Sequence, residues 1–304
     1  MKSRSLKYTL ALTCGLLAAA AANAGTVTQS GDMVPTGKGW AVHSVKGGQV
    51  PQGGITNSTG IFYHGGPVML GTNHVYYIWY GNWGGNSAIN ILQDLANTMG
   101  GTPYWNIETT YTQSGGGRVS NSLRFGGSSF DSYSQGSAVD DNGIANIVAN
   151  ALNTGALPLD STGVYLVLTS ADVNETTGFC TQYCGWHTAG TFGTTDVKYG
   201  FIGNTDACPS ACTGFPGNAP NGNAGADGMA SIIAHELDEA VSDPDLNAWF
   251  DNSGAENGDK CAYNYGTTSG SSGARWNVTF GSRHFLVQRN WKNSGTGGCT
   301  IHFP

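Results

Sequence analysis

Gly163-Val164-Tyr165-Leu166-Val167-Leu168-Thr169 is a nearly unbroken apolar run rich in β-branched and aromatic side chains. A half-buried strand alternates polar and apolar residues. A run without that alternation must be covered on both faces, as in the central strand of a layered α/β sheet. The segments on either side agree. Upstream, Asp140 to Leu152 carries Ile144, Ile147, Val148 and Leu152 on one helical face, with Asp140 or Asp141 as N-cap. Further back, His74 to Tyr80 (HVYYIWY) predicts a strand, and Asn86 to Met99 a helix through Ile89, Ile91, Leu92, Leu95 and Met99. Pro103 to Tyr111 reads as a strand or loop. Downstream, residues 170–226 read as a Cys-rich loop region with a strand at Lys198–Gly203. Asp227 to Val241 predicts a third helix stopped by Pro244, residues 266–274 a surface loop, and Phe285 to Trp291 a late strand. Strands alternate with helices and no composition break or repeat intervenes. The expectation is one loop-rich α/β domain on a mixed sheet.

The composition narrows the function. Only 11% of the 304 residues are charged, 47 are glycine and 11% are aromatic. A neutral, turn-rich surface of this kind is typical of exported proteins. The net charge is −7, from 13 basic and 20 acidic residues. Without clustered Lys and Arg there is nothing to displace phosphate counterions, which excludes nucleic acid as a partner. An anionic membrane surface is excluded on the same ground.

Lys2, Arg4 and Lys7 precede an apolar run from Tyr8 to Ala22, and Ala22-Asn23-Ala24 is a small-x-small cleavage signal. Residues 1–24 are therefore expected to be a signal peptide cleaved after Ala24, and the protein to be secreted, with no membrane contact afterwards. Residues 25–60 read as an irregular lead-in, and 61–304 as the folded domain. Removal of the signal leaves 10 basic and 20 acidic residues, a charge of −10. Of the seven cysteines, Cys14 lies in the signal. Cys180, Cys184, Cys208, Cys212, Cys261 and Cys299 remain, an even set that predicts three disulfides in an exported chain. Their pairing stays open among fifteen arrangements. Cys261 with Cys299 is a plausible bridge, and the two C-x3-C pairs also admit a zinc knuckle.

The third helix carries the chemistry. Ile232-Ile233-Ala234-His235-Glu236-Leu237-Asp238-Glu239-Ala240 mixes apolar residues with four ionisable ones, a costly arrangement unless the charges are paired or bind a metal. His235 and Glu239 are four apart and share a face. The pattern is H-E-x-x-H with Glu in place of the second His, so the helix reads as zincin-like. In that scheme His235 and Glu239 are metal ligands and Glu236 takes the proton of a metal-bound water. Glu256 and Asp259 are the candidates for a third ligand, with Cys261 pinning their segment. The expected cofactor is one divalent ion, zinc first. The carboxylate-rich set also admits calcium, manganese or magnesium. The expected activity is hydrolysis of a peptide bond in an extracellular peptide or protein.

Other candidates are weaker. His187, after Cys184-Gly185-Trp186, is a possible oxyanion donor, or simply a polar residue of a disulfide loop. His64 reads as a turn residue. Asp243-x-Asp245-x-Asn247 opens like a calcium loop, but Ala248 and Gly254 stand where an EF-hand needs Gly and Glu. No Ser sits in a G-x-S-x-G elbow. The many Trp and Tyr residues support an alternative, a non-catalytic protein that binds cell-wall polysaccharide by stacking on sugar rings.

Several stretches resemble a known family. They are Tyr63-His64-Gly65-Gly66-Pro67, Tyr76 through Trp83, Leu168 through Val173, Gly178-Phe179-Cys180, Cys184-Gly185-Trp186-His187, Ala219-Pro220-Asn221-Gly222, Gly228-Met229 and Phe285-Leu286-Val287-Gln288. Together they resemble the Exordium/phosphate-induced protein 1 family from about Gly60 to Cys299. The resemblance implies export to the cell exterior or wall, and it brings no settled catalytic activity. The chain looks like a microbial branch that keeps His-Glu-x-x-Glu, an Asp-Pro step and Glu-x-x-Asp-x-Cys. Plant members often lack the His-Glu pair, so roles in plant growth do not carry over.

Overall fold

The computed structural model describes residues 60–304 and the backbone of two short strands before them. The expected signal peptide and the rest of the lead-in lie outside the described residues. Seven strands form the main sheet: β1 (Val27–Gln29), β2 (Val42–Ser44), β3 (Gly71–Tyr80), β4 (Val119–Asp131), β5 (Gly163–Thr169), β6 (Tyr183–Phe192) and β7 (Thr195–Ile202). Their order is β1-β6-β7-β5-β3-β4, with β2 also on β6. The pairs β7–β5, β5–β3 and β3–β4 are parallel, while β6 runs antiparallel to β7, β1 and β2. The sheet is mixed, as expected, and β5 sits inside it with every residue buried.

Three long helices cover the sheet: α1 (Ala88–Met99), α2 (Asp141–Asn153) and α3 (Ala224–Ser242). The chain leaves β3 through α1 to β4, then crosses back through α2 to β5. Right-handed crossovers make that reversal place α1 and α2 on opposite faces. Helix α3 packs beside α1 and against β6 and β7. Asp140 caps α2, accepting a hydrogen bond from Gly143 N at 2.8 Å.

Several expectations need correction. Pro103 to Tyr111 is neither strand nor plain loop, since Trp105–Thr110 forms a 3-10 helix. Strand β4, VSNSLRFGGSSFD, escapes the sequence reading because its Ser and Gly hide the strand pattern at a sheet edge. Much of the supposed Cys-rich loop is strand β6, whose Cys and Gly residues dilute its β-propensity while packing buries its first eight residues. Helix α3 starts three residues earlier than expected, capped by Asn223 onto Ala226 N. Its early glycines are contact points: a Cβ on Gly228 would lie 2.2 Å from Thr205 Oγ1. The late strand survives only as Arg283–Phe285 and Asn290–Trp291. Between them, Val287 N, Gln288 N and Arg289 N bond to Asn277 Oδ1, Ser231 Oγ and Asn264 O, so no ladder can form.

Among the described residues three disulfides are present: Cys180–Cys208, Cys184–Cys212 and Cys261–Cys299. The first two bridge across the C-x3-C pairs and staple the start of β6 to the segment before α3. That pairing removes the zinc-knuckle reading. The set points to an oxidising compartment. No helix among the described residues is long and apolar enough to cross a membrane.

Candidate metal centre

Helix α3 is buried along nearly its whole length, from Gly225 to Ser242 with only Gly228 less enclosed. Such a helix shows no single apolar stripe. Its ionisable residues must therefore find partners inside the protein. His235 and Glu239 face the segment after α3, where Glu256, Gly258 and Asp259 approach. His235 Nε2 lies 2.9 Å from Glu239 Oε1 and 3.6 Å from Asp259 Oδ1. Asp259 N donates to Glu239 Oε1 at 3.0 Å. The ligating atoms of His235, Glu239 and Asp259 fall within 4.8 Å of one another. The three residues named from the sequence thus come together from two segments.

Two glycines permit this closeness. A Cβ on Gly258 would stand 2.8 Å from His235 Nδ1 and 3.0 Å from Glu239 Oε1. On the other side of the helix, a Cβ on Gly185 of β6 would meet Ile232 Cγ2 at 2.6 Å and Glu236 Oε1 at 3.1 Å. Residues 185 and 187 lie on the same face of β6, so His187 also meets the helix. Its Nδ1 is 3.3 Å from Glu236 Oε2 and 3.5 Å from Glu239 Oε2. Its Nε2 is 3.8 Å from Glu256 Oε1. His187 is therefore a fully enclosed strand residue rather than part of a disulfide loop. Glu256 joins the cluster through His187.

The electrostatics follow from burial. Enclosure works against a charged ring at His187, but the carboxylates of Glu236 and Glu239 outweigh it and lift its pKa to about 9. Glu239, chiefly, does the same for His235, to about 10. Burial also pushes Glu239 up, but the two imidazoles prevail and hold it at about 2. Glu236 is raised by burial, with His187 pulling the other way. Burial and then the charge of Glu239 drive Glu256 and Asp259 well above the carboxylate range. Both oxygens of Glu256, Glu239 Oε2 and Asp259 Oδ1 have no hydrogen bond. Each such buried polar group costs about 1–3 kcal/mol, a cost that a cation would remove.

A support layer lies behind the cluster, and the sequence reading missed it. Gln288 Nε2 contacts His235 Nδ1 at 2.6 Å and donates to Gly258 O at 2.9 Å. Asn257 Nδ2 donates to Glu108 Oε2 and to Asp238 O, both at 3.0 Å, and Asn290 Nδ2 donates to Glu108 Oε1. Glu108 thus ties the loop bearing Glu256 and Asp259 to the strand end at Asn290. Asp238, on the same helix, turns away and accepts from Tyr104 OH at 2.7 Å. Glu108 stands between Ile107 and Thr109, and nothing in its sequence neighbourhood marks it. The backbone of β2 closes one side, paired to Trp186 and Gly185 and touching α3 and the Asp259–Cys261 turn.

The segment that opens like a calcium loop has its own contacts. Asp243 Oδ1 accepts from Asn247 N at 2.7 Å and Ala248 N at 2.6 Å, while Asp245 pairs with Lys198. His64 stacks on Phe250, with ring centroids 3.6 Å apart, outside the cluster.

Comparison with known proteins agrees with the resemblance. The phosphate-induced protein 1 conserved region matches residues 61–300. Protein EXORDIUM-like 5 of Arabidopsis thaliana is 32% identical over 289 residues, covering 81% of this chain and 79% of that one. Protein EXORDIUM-like 3 of the same plant is 30% identical, covering 79% and 82%. Protein PHOSPHATE-INDUCED 1 of Nicotiana tabacum is 23% identical, covering 62% and 66%. No solved structure matches.

Proposed function

The chain belongs to the phosphate-induced protein 1 family, and from that premise we propose that it is an exported, metal-dependent hydrolase of peptide bonds. The observation that carries the proposal is the meeting of His235, Glu239 and Asp259 in a buried cluster where Glu239 Oε2 and Asp259 Oδ1 lack hydrogen bonds. One imidazole and two carboxylates suit a divalent ion. The set is harder than two histidines and a glutamate, which favours manganese, magnesium or calcium more than zinc's usual sites do. A bound ion would supply Lewis acidity to a carbonyl and to a water.

The remaining roles fall to the chain. Glu236, next to His235 and with its pKa raised from the ordinary carboxylate value by burial, is the proton acceptor. His187 holds Glu236 by the 3.3 Å contact and is the candidate donor to a developing oxyanion. The substrate is an extracellular peptide or protein. The test is metal analysis and peptidase assay of the purified protein, wild type and Glu236→Gln. Metal in both, with activity lost in the variant, supports the reading. A metal-free wild type, or an active variant, refutes it.

A second reading, binding of cell-wall polysaccharide, is favoured by an open groove of about 480 Å³ beyond the C-terminal ends of β3 and β4. Phe130, 65% exposed, and Tyr133 contribute aromatic surface to it. Retention on insoluble glycan by the wild type, lost in Phe130→Ala, would support that reading.

A further inference from the structure

Glu239 belongs to two ligand groups, not one. Its Oε1 faces His235 Nε2 at 2.9 Å and its Oε2 faces His187 Nδ1 at 3.5 Å. The ligating atoms of His187, Glu236 and Glu239 lie within 4.8 Å of one another, as do those of His235, Glu239 and Asp259. We infer that Glu239 bridges two divalent cations, one on His235, Glu239 and Asp259 and the other on His187, Glu236 and Glu239. Two-ion centres with such a shared carboxylate keep their ions about 3.5–4 Å apart, a spacing that the two ends of one carboxylate can span.

Glu256 gives an independent pointer. It is 1% exposed, and neither of its oxygens has a hydrogen bond. It is aimed at His187 Nε2, 3.8 Å away, which also lacks one. A histidine that ligates through one nitrogen normally donates its other N–H to a carboxylate, a backbone carbonyl or a water. With a cation on Nδ1, His187 carries its proton on Nε2, and Glu256 is where that proton is wanted. His235 shows the same division, Nε2 toward the carboxylates and Nδ1 toward Gln288.

This inference rests on the single-ion reading for its first site, and it makes Glu236 a ligand rather than a free base. The test uses the full-length exported protein, stripped with a chelator and reloaded with Mn²⁺, then read by metal analysis and electron paramagnetic resonance. The expected result is two Mn²⁺ per chain with a spin-coupled spectrum. His187→Ala should bring the count to one and replace the coupled spectrum by the six-line signal of an isolated ion. One ion per chain in the wild type would overturn the second site and leave the single-ion reading standing. No ion would overturn both. Two uncoupled ions would overturn the bridge.

Discussion

His235 Nε2 lies 2.9 Å from Glu239 Oε1, one turn further along the same buried helix. The opposite ring nitrogen, Nδ1, is 2.6 Å from the Gln288 amide. An ion on Nε2 fixes the ring proton on Nδ1, so the Gln288 oxygen, which has no hydrogen bond, must turn to accept it. Supports of this kind set ligand orientation, and losing one costs about 10–100-fold in metal affinity. Gln288→Leu is expected to weaken Mn²⁺ binding by that factor while leaving the number of ions unchanged. Titration calorimetry on the stripped protein measures it.

Gly258 has an ordinary backbone, φ −66°, so its lack of a side chain concerns space and not conformation. Gly258→Ala would drive a methyl group into the His235 ring and Glu239. The expected cost is about 1–3 kcal/mol of stability together with reduced metal content. Urea denaturation and metal analysis check both. An alanine variant that keeps full stability and full metal would show that the loop does not press on the ring.

The crossed disulfides predict a definite peptide map. Non-reducing digestion should yield Cys180 linked to Cys208 and Cys184 linked to Cys212, with no link inside either C-x3-C pair. Each bridge closes a 28-residue separation, for which chain-entropy estimates give about 3–4 kcal/mol. Paired Cys180→Ser and Cys208→Ser substitution should lower stability by up to that amount, read as a shifted urea midpoint.

Away from the cluster, Asp160 organises the entry to β5. It accepts from Thr162 N at 2.8 Å and Tyr76 OH at 2.9 Å and contacts His74 Nδ1 at 2.7 Å. Burial works to raise its pKa, but these hydrogen bonds prevail and lower it. A lowered carboxylate stabilises the fold above its unfolded pKa of about 3.9 and loses that contribution as the pH falls through the lower folded value. Asp160→Asn should therefore melt below the wild type at pH 7, with the gap closing below about pH 4. A gap independent of pH would show that the charge plays no part.

The architecture was legible where burial leaves a pattern. Gly163–Thr169 announced a central strand because it is covered on both sides, and Asp140 announced a helix start because it caps one. Strands β4 and β6 were illegible because Ser, Gly and Cys are weak strand formers, and neighbours rather than propensity fix them in place. His235, Glu236 and Glu239 stood out because four ionisable residues in an otherwise apolar helix require partners. Asp259 and Glu256 could be named but not ranked: Asp259 faces His235, whereas Glu256 faces His187. Glu108, Asn257 and Gln288 gave no local signal, because their roles exist only once segments some 150 residues apart are packed together. The Cys pairing was unreadable for the same reason.

The most direct test of the central claim is an anomalous difference map from crystals of the full-length protein grown with Mn²⁺. The account predicts a peak within about 2.0–2.6 Å of a ring nitrogen of His235 and of carboxylate oxygens of Glu239 and Asp259, the range for divalent ions bound by such ligands. A map without a peak there, at Mn²⁺ concentrations that saturate ordinary sites, would contradict it.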